Sequence, residues 1–333
     1  MEYYLLLIAT SLAINAILAL ALNLQFGFTG VLNFGYIVFV ATGAYITAAT
    51  TLGQGSPGFI QTYVIRWSMP WPLPLLAGGL VAAALAAIVA VIALRDLRSD
   101  YQAVAMIALA QILWTTIGNQ SNIFNGYQGL AGVPRPFTDA LASASPLVND
   151  LVFLCICVAF MAGTLYLCRR IFRSPLGRVM RAVRDDEVVP ESFGRGSLRI
   201  RLTAFVLGSF LAGVGGGLLV EHDSAFGSNG WVPIETFIIF AAVIIGGMGS
   251  NLGAIVGATL VLVGLNESTR FLPSSLIPAA TIQPLRGILI GFLMILVLRF
   301  KPAGIIPERR VRLYRKRPPV PPPITASPML NKV

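Results

Sequence analysis

Apolar residues in this chain do not alternate with polar ones; they run. Nine segments are apolar almost throughout, at roughly 3–24, 31–51, 73–94, 101–118, 151–167, 202–220, 234–248, 252–270 and 285–298. A helix needs about 20 such residues to cross the hydrocarbon core of a bilayer. Continuous runs also argue against the alternating strands of a membrane barrel. The pattern predicts an all-α, polytopic membrane helix bundle of about nine transmembrane segments. The runs at 101, 234 and 285 are short for a full span and are expected to tilt, break or re-enter. No basic region precedes the first run, which is too long for a cleaved signal and reads as a retained helix.

One hydrophilic island interrupts the runs: SPLGRVMRAVRDDEVVPESFGRGS at 174–197. Ser174 suits a helix N-cap and Pro175 the first helical position. Val179, Met180 and Val183 recur at helical spacing as a short apolar stripe, with Arg178, Arg181 and Arg184 around the other side. Asp185, Asp186 and Glu187 fall near the helix end, where the macrodipole disfavours acids. Something beyond local helix stability therefore fixes them. Pro190 is expected to stop or bend the helix. Two readings stand side by side: a docking element for a cytoplasmic partner, and a solvated loop that only sets orientation.

Composition agrees with a membrane chain. Of 333 residues, 56% are hydrophobic and 11% charged, against roughly 25% charged in soluble domains. The net charge of +10 is concentrated beside apolar runs, which points to the positive-inside rule rather than to nucleic acid. Arg95 and Arg98 form one group. Arg169, Arg170, Arg173, Arg178, Arg181, Arg184, Arg195, Arg199 and Arg201 form a second. Arg299, Lys301 and the tail form a third. Nine crossings put all three on one face, leaving Arg66, Arg135, Arg270 and Arg286 opposite. The N-terminus is then external and the C-terminus cytoplasmic. The loop 119–150 is external and rich in turn formers. The tail, 308–333, is basic and then proline-rich, suited to disorder and to contact with anionic lipid.

Catalytic chemistry is sparse. The sequence has no GxxxxGK[ST], GxSxG or HExxH pattern. Cys155, Cys157 and Cys168 lack metal-site spacing and read as buried thiols, and His222 is the only histidine. No metal or cofactor is expected on this chain. Glu235 and Glu267 are the carboxylates a proton-coupled pump would use, though both sit near predicted helix ends. Glu221, His222 and Asp223 form a polar cluster just past the run ending at Val220. It reads as a vestibule for a zwitterion or as an ordinary solvated loop. Asn15, Asn23, Gln25, Asn33, Gln111 and Asn266 could bridge helices or bind solute. Glycines interrupt three apolar regions, at 27–35, 213–217 and 246–257. Gly27, Gly30, Asn33, Gly35, Gly246, Gly247 and Gly249 are the candidates for pathway or helix-break positions.

Several stretches together resemble the permease subunits of bacterial ABC importers of the branched-chain amino acid class, LivM type. They are ALALNLQFGFTGVLNFGYIVFVATGAY (19–45), ALRDLRSDYQAVAMIALAQI (93–112), NGYQGLAGVP (125–134), GRVMRAVRDDEVVPESFG (177–194), LTAFVLGSFLAGVGGGLL (202–219), IIGGMGSNLGAIVGATLV (244–261) and FKPAGIIP (300–307). The resemblance implies a multi-pass subunit of the bacterial inner membrane, with residues 1–307 as permease. It would work with a second related permease, two cytoplasmic ATPases that carry ATP and Mg, and an external solute-binding protein. It also implies that 168–201 is a coupling loop. Gly177, Arg178, Met180, Arg181, Val183, Arg184, Asp185, Glu187 and Gly194 would then seat on an ATPase, with Met180 and Val183 as its apolar anchor. Branched-chain or related amino acids are the implied solutes. Importers of urea or short amides have similar permeases. A passive channel or a secondary transporter are the other classes the residues allow.

Overall fold

The computed structural model describes residues 2–53, 61, 67–96, 99–138, 145–192, 194, 196–264, 267, 279–301 and 303–308. Arg66, Arg98, Arg195, Asn266, Arg270 and the tail beyond Glu308, all singled out above, lie outside them. The long helices are α1 (Glu2–Leu22), α2 (Tyr36–Leu52), α3 (Leu73–Asp96), α4 (Ser99–Asn119), α6 (Pro146–Arg173), α9 (Ser197–Asp223), α10 (Glu235–Gly246) and α12 (Ala279–Phe300). Short helices α5 (Ser121–Phe124), α7 (Pro175–Asp185), α8 (Val188–Ser192) and α11 (Asn251–Gly257) lie between them. α1 runs into a wider π-type turn at Asn23–Gly27, and α11 into another at Ala258–Gly264.

Among the described residues, six helices are long and apolar enough to cross a membrane: Tyr3–Gly27, Leu73–Arg95, Tyr101–Asn119, Pro146–Arg173, Ser197–Asp223 and Ser228–Gly246. Three shorter apolar helices, Tyr36–Leu52, Asn251–Gly264 and Gly287–Phe300, coincide with the remaining runs. The shortness expected at 101 is corrected, since α4 runs unbroken from Ser99 to Asn119. At 234 the regular helix is short, Glu235–Gly246, and the span reaches back to Ser228 through a separate 3-10 turn at Ser228–Gly230. The segment at 36 loses its first turn to the irregular backbone around Asn33 and Gly35.

α9 sits at the centre, packed on α1, α2 and α3. Its GVGGG stretch does not break it: the helix is continuous from Ser197 to Asp223. The glycines instead bring backbones together. A Cβ on Gly43 of α2 would collide with the Gly213 carbonyl of α9, and one on Gly213 would lie 3.0 Å from the Gly78 carbonyl of α3. Without a hydrophobic drive between helices in lipid, close backbone approach is what holds such a crossing. Amides add a buried bridge. Gln25 donates to the Phe205 carbonyl (2.9 Å) and to Ser209 Oγ (3.1 Å), and accepts from Asn33 Nδ2 (2.9 Å). Two short strands, β1 (Leu130–Ala131) and β2 (Ala225–Phe226), pair antiparallel and tie the 125–134 loop to the end of α9. α3, α6 and α12 keep large apolar side chains exposed, among them Leu80, Ile92, Tyr166, Ile288 and Phe292. Such faces suit lipid or another apolar helix.

Candidate functional site: the α7 junction

α7 forms for local reasons. Ser174 Oγ accepts the Gly177 N–H at 3.3 Å, capping the helix, and Pro175 takes the first position. Ser174 also closes a sharp corner with α6. A Cβ on Gly177 would lie 2.7 Å from the Phe172 carbonyl, so the corner admits only glycine there. The helix stops at Asp185 because Asp186 turns extended (φ −161, ψ 123). Pro190 is thus not the stop. It sits in the first turn of α8, where a missing N–H costs nothing.

The apolar stripe points inward. Gly177, Met180 (0% exposed) and Val183 (2%) are buried within this chain. Met180 and Val183 are therefore not an exposed anchor for a partner; they fix α7 to its own bundle. Arg181 and Arg184 turn inward as well, and meet Glu308. Arg184 Nη2 lies 2.9 Å from Glu308 Oε2 and Arg181 Nη1 3.7 Å from Oε1. The Arg181 guanidinium also covers the Phe172 ring at 4.4 Å, a cation–π contact. Arg184 reaches further and donates from Nη1 to the Gly27 carbonyl at the end of α1. The exposed face of α7 carries Arg178 and Asp185, and Gly194 is exposed beyond α8. Glu187 is held at 2.9 Å by Arg201 of α9, a buried arginine that also donates to Gln102 of α4 at 2.8 Å.

Two sets of residues that the sequence kept apart meet at this point. Gly249, in the turn between α10 and α11, has φ +77, and a Cβ there would lie 2.7 Å from Glu308 Oε2 and 2.9 Å from Arg184 Nη1. Only glycine fits both the conformation and the space. Its N–H donates to Asn23 Oδ1 at 2.9 Å, and Asn23 Nδ2 lies 3.4 Å from Asn251 Oδ1. Gly27 and Gly30 line the same junction, against Gly249 and Arg184. Gly247 packs on the segment 303–308, whose Ile305 and Ile306 N–H groups donate to the carbonyls of Ile245 and Gly246, both at 2.9 Å. That strap satisfies carbonyls at the end of α10, which would otherwise be orphaned, and delivers Glu308 to the arginines. Gly246 serves a helix crossing with Gly253, Gly35 packs on the Met106 carbonyl, and Asn33 belongs to the buried amide bridge. Gly35 and Asn33 lie away from the junction, whereas the Gly246 carbonyl also takes the Ile306 N–H of the strap.

Glu308 escaped the sequence reading because it was counted as the start of the tail. The signal was available: it is the only acid after Glu267 in a stretch dense with arginine and lysine. The Glu221–His222–Asp223 cluster is also relocated. α9 continues through it, and Glu221 is buried at 1% exposure. Glu235 and Glu267 line a cavity of about 380 Å3 together with Asn15 and His222, and Glu267 accepts a 2.6 Å hydrogen bond from Tyr4. Among the described residues no group of three or more His, Cys, Asp or Glu is placed to hold a metal ion.

Apolar helices of spanning length around a glycine-packed centre, with an amphipathic surface helix tied to their ends, define a multi-pass α-helical membrane protein. A family described as branched-chain amino acid transport system / permease component matches residues 4–298, and the chain belongs to that family. It is 30% identical to the high-affinity branched-chain amino acid transport system permease protein LivM of Escherichia coli strain K12, over 93% of this chain and 71% of that protein. It is 27% identical to the probable branched-chain amino acid transport permease protein LivM of Methanocaldococcus jannaschii, over 95% of this chain and 93% of that protein. The permease protein LivH of Escherichia coli strain K12 matches more distantly, at 23% identity over 87% of this chain and 90% of that protein. No solved structure matches the chain.

Proposed function

We propose that this chain is the LivM-type permease subunit of an ATP-driven importer of branched-chain or related amino acids in the bacterial inner membrane. A second, LivH-like permease completes the pathway, two cytoplasmic ATPases bind ATP with Mg and hydrolyse it, and an external binding protein delivers solute. Nine crossings, with the N-terminus outside and the C-terminus in the cytoplasm, best account for the basic clusters. The urea, channel and secondary-transporter readings draw no support from the relatives.

One observation carries the reading: α7 presents charge outward while its inner face is tied to the turns that end α1 and join α10 to α11. In this reading an ATPase groove seats on the exposed face, with Arg178 and Asp185 at the contact. Met180 and Val183 make α7 move as one body with the bundle. Arg184 and Glu308 pass that movement to the glycine turns, which can change backbone direction without steric cost. Differential binding of solute-loaded binding protein to one of the two states then drives the cycle.

The test is gentle purification of the tagged chain from its native membrane, followed by mass spectrometry and by uptake in proteoliposomes. A second permease and P-loop ATPases are the expected companions, and Arg178→Gln should weaken retention of the ATPases. Recovery of the chain alone, competent for transport without ATP, would overturn the proposal.

A further inference from the structure

α9 is roughly 40 Å long at 1.5 Å per residue, and the end opposite α7 holds a second feature that the junction does not use. Glu221, in its last turn, is 1% exposed, yet its Oε2 has no hydrogen-bond partner. Trp71, from the turn before α3, has a buried indole Nε1 that also lacks one. The two groups are neighbours: the Trp71 N–H lies close enough to interact with the Glu221 carboxylate, but neither Glu221 Oε2 nor Trp71 Nε1 makes a well-formed hydrogen bond. Both line one cavity of about 380 Å3, together with Met69, Arg135, Phe137 and Thr138. That is within the size range of small-molecule pockets.

The wall is chemically divided. Phe137 packs against Trp71 with ring centroids 5.0 Å apart, and Met69 adds a further apolar surface. Arg135 is held in place: it pairs with Asp150, donates to the His222 carbonyl at 3.4 Å and lies 5.4 Å above the Phe153 ring. A buried carboxylate oxygen and a buried N–H, each unpartnered, cost free energy unless something satisfies them. One is an acceptor and the other a donor, with Arg135 and the apolar Met69 and Phe137 lining the same cavity.

We propose that this cavity binds the zwitterion of an α-amino acid with an aliphatic side chain. The ammonium donates to Glu221 Oε2, the carboxylate accepts from Trp71 Nε1 beside Arg135, and the side chain lies on Met69 and the Trp71–Phe137 pair. The proposal rests on the transport reading and deepens it. It puts a solute-contacting station in this chain, at the far end of the helix whose near end is bound to the coupling element.

The test uses the purified importer complex in detergent without its binding protein, so that only membrane sites are read. Thermal unfolding is followed with L-leucine, isoamylamine, which lacks the carboxylate, and isovalerate, which lacks the ammonium. Leucine should raise the Tm saturably, isoamylamine should do so less, and isovalerate should not. Glu221→Gln should weaken leucine binding about tenfold or more, the loss of one charge-assisted hydrogen bond. Thr138→Trp, at the exposed mouth, should block the leucine shift in a complex that still unfolds cooperatively, and it decides the matter should Glu221→Gln fail to fold. No leucine shift in the wild type, an equal shift with isovalerate, or wild-type binding by Thr138→Trp would overturn the proposal. ATP-driven leucine import by the same complex with its binding protein, alongside no shift, would sink the site and leave the transport reading standing.

Discussion

Glu308→Gln separates packing from coupling. The substitution keeps the shape of the side chain and removes its charge. In the wild type the carboxylate meets two guanidinium groups, at 2.9 Å and 3.7 Å, with all three side chains 16–17% exposed. At that burial, solvent screens the pairs only partly. A hydrogen bond to a charged group contributes about 1.5–3 kcal/mol net, so the loss at the junction is about 2 kcal/mol after the neutral amide recovers part of the contact. A change of that size shifts a two-state balance by a factor of about 30. Met180 and Val183 remain buried, so α7 stays docked and, on the proposed function, its ATPase contact is kept. In proteoliposomes the expected result is leucine uptake per ATP hydrolysed that falls several-fold or more, with ATPase retention unchanged. The Arg184→Glu, Glu308→Arg double variant should recover only part of the loss, because a glutamate at 184 cannot donate to the Gly27 carbonyl as Arg184 does. A double-mutant cycle would then give a coupling energy of about 1–2 kcal/mol. Unchanged uptake per ATP in both Glu308→Gln and Arg184→Gln would refute the junction as the transmitting contact.

Other perturbations read other parts of the structure. Gly43→Val should force α2 from α9 at the Gly213 carbonyl and destabilise the bundle by about 1–3 kcal/mol, seen as a lower Tm in detergent. Ser174→Ala should cost α7 about 1 kcal/mol through its lost N-cap, measurable as faster hydrogen exchange across the first turn of α7 with little change elsewhere. Gln25→Leu should strand Asn33 and Ser209 without their partner and lower the Tm, whereas Asn15→Leu, where the amide bonds within its own helix turn, should be milder.

Much of the bundle was legible because lipid demands continuous apolar runs, and a run of this kind has few other uses. The α7 cap and stripe were legible for the same reason: Ser174, Pro175, Met180 and Val183 obey helix rules that act within a few residues. What the stripe faces is a tertiary matter. Local pattern alone could not tell burial in the chain's own bundle from burial in an ATPase, and the first is what the structure has. The GVGGG stretch interrupts an apolar run, and glycine is costly inside a helix, but close approach to α2 and α3 offsets that cost. Glu308 was lost for a related reason. Its partners lie 124 residues away at Arg184 and nearby at Arg181, and a basic, proline-rich sequence beside it reads as solvated tail. Glu221 looked like loop because polar residues commonly end a span, while α9 in fact carries it into a buried position.

Radiolabelled leucine uptake into proteoliposomes that hold this chain with its co-purified partners, assayed with and without ATP and with and without the binding protein, tests the central claim most directly. Uptake that requires both is the expected result. Uptake by this chain that follows a proton or sodium gradient and ignores ATP would contradict it.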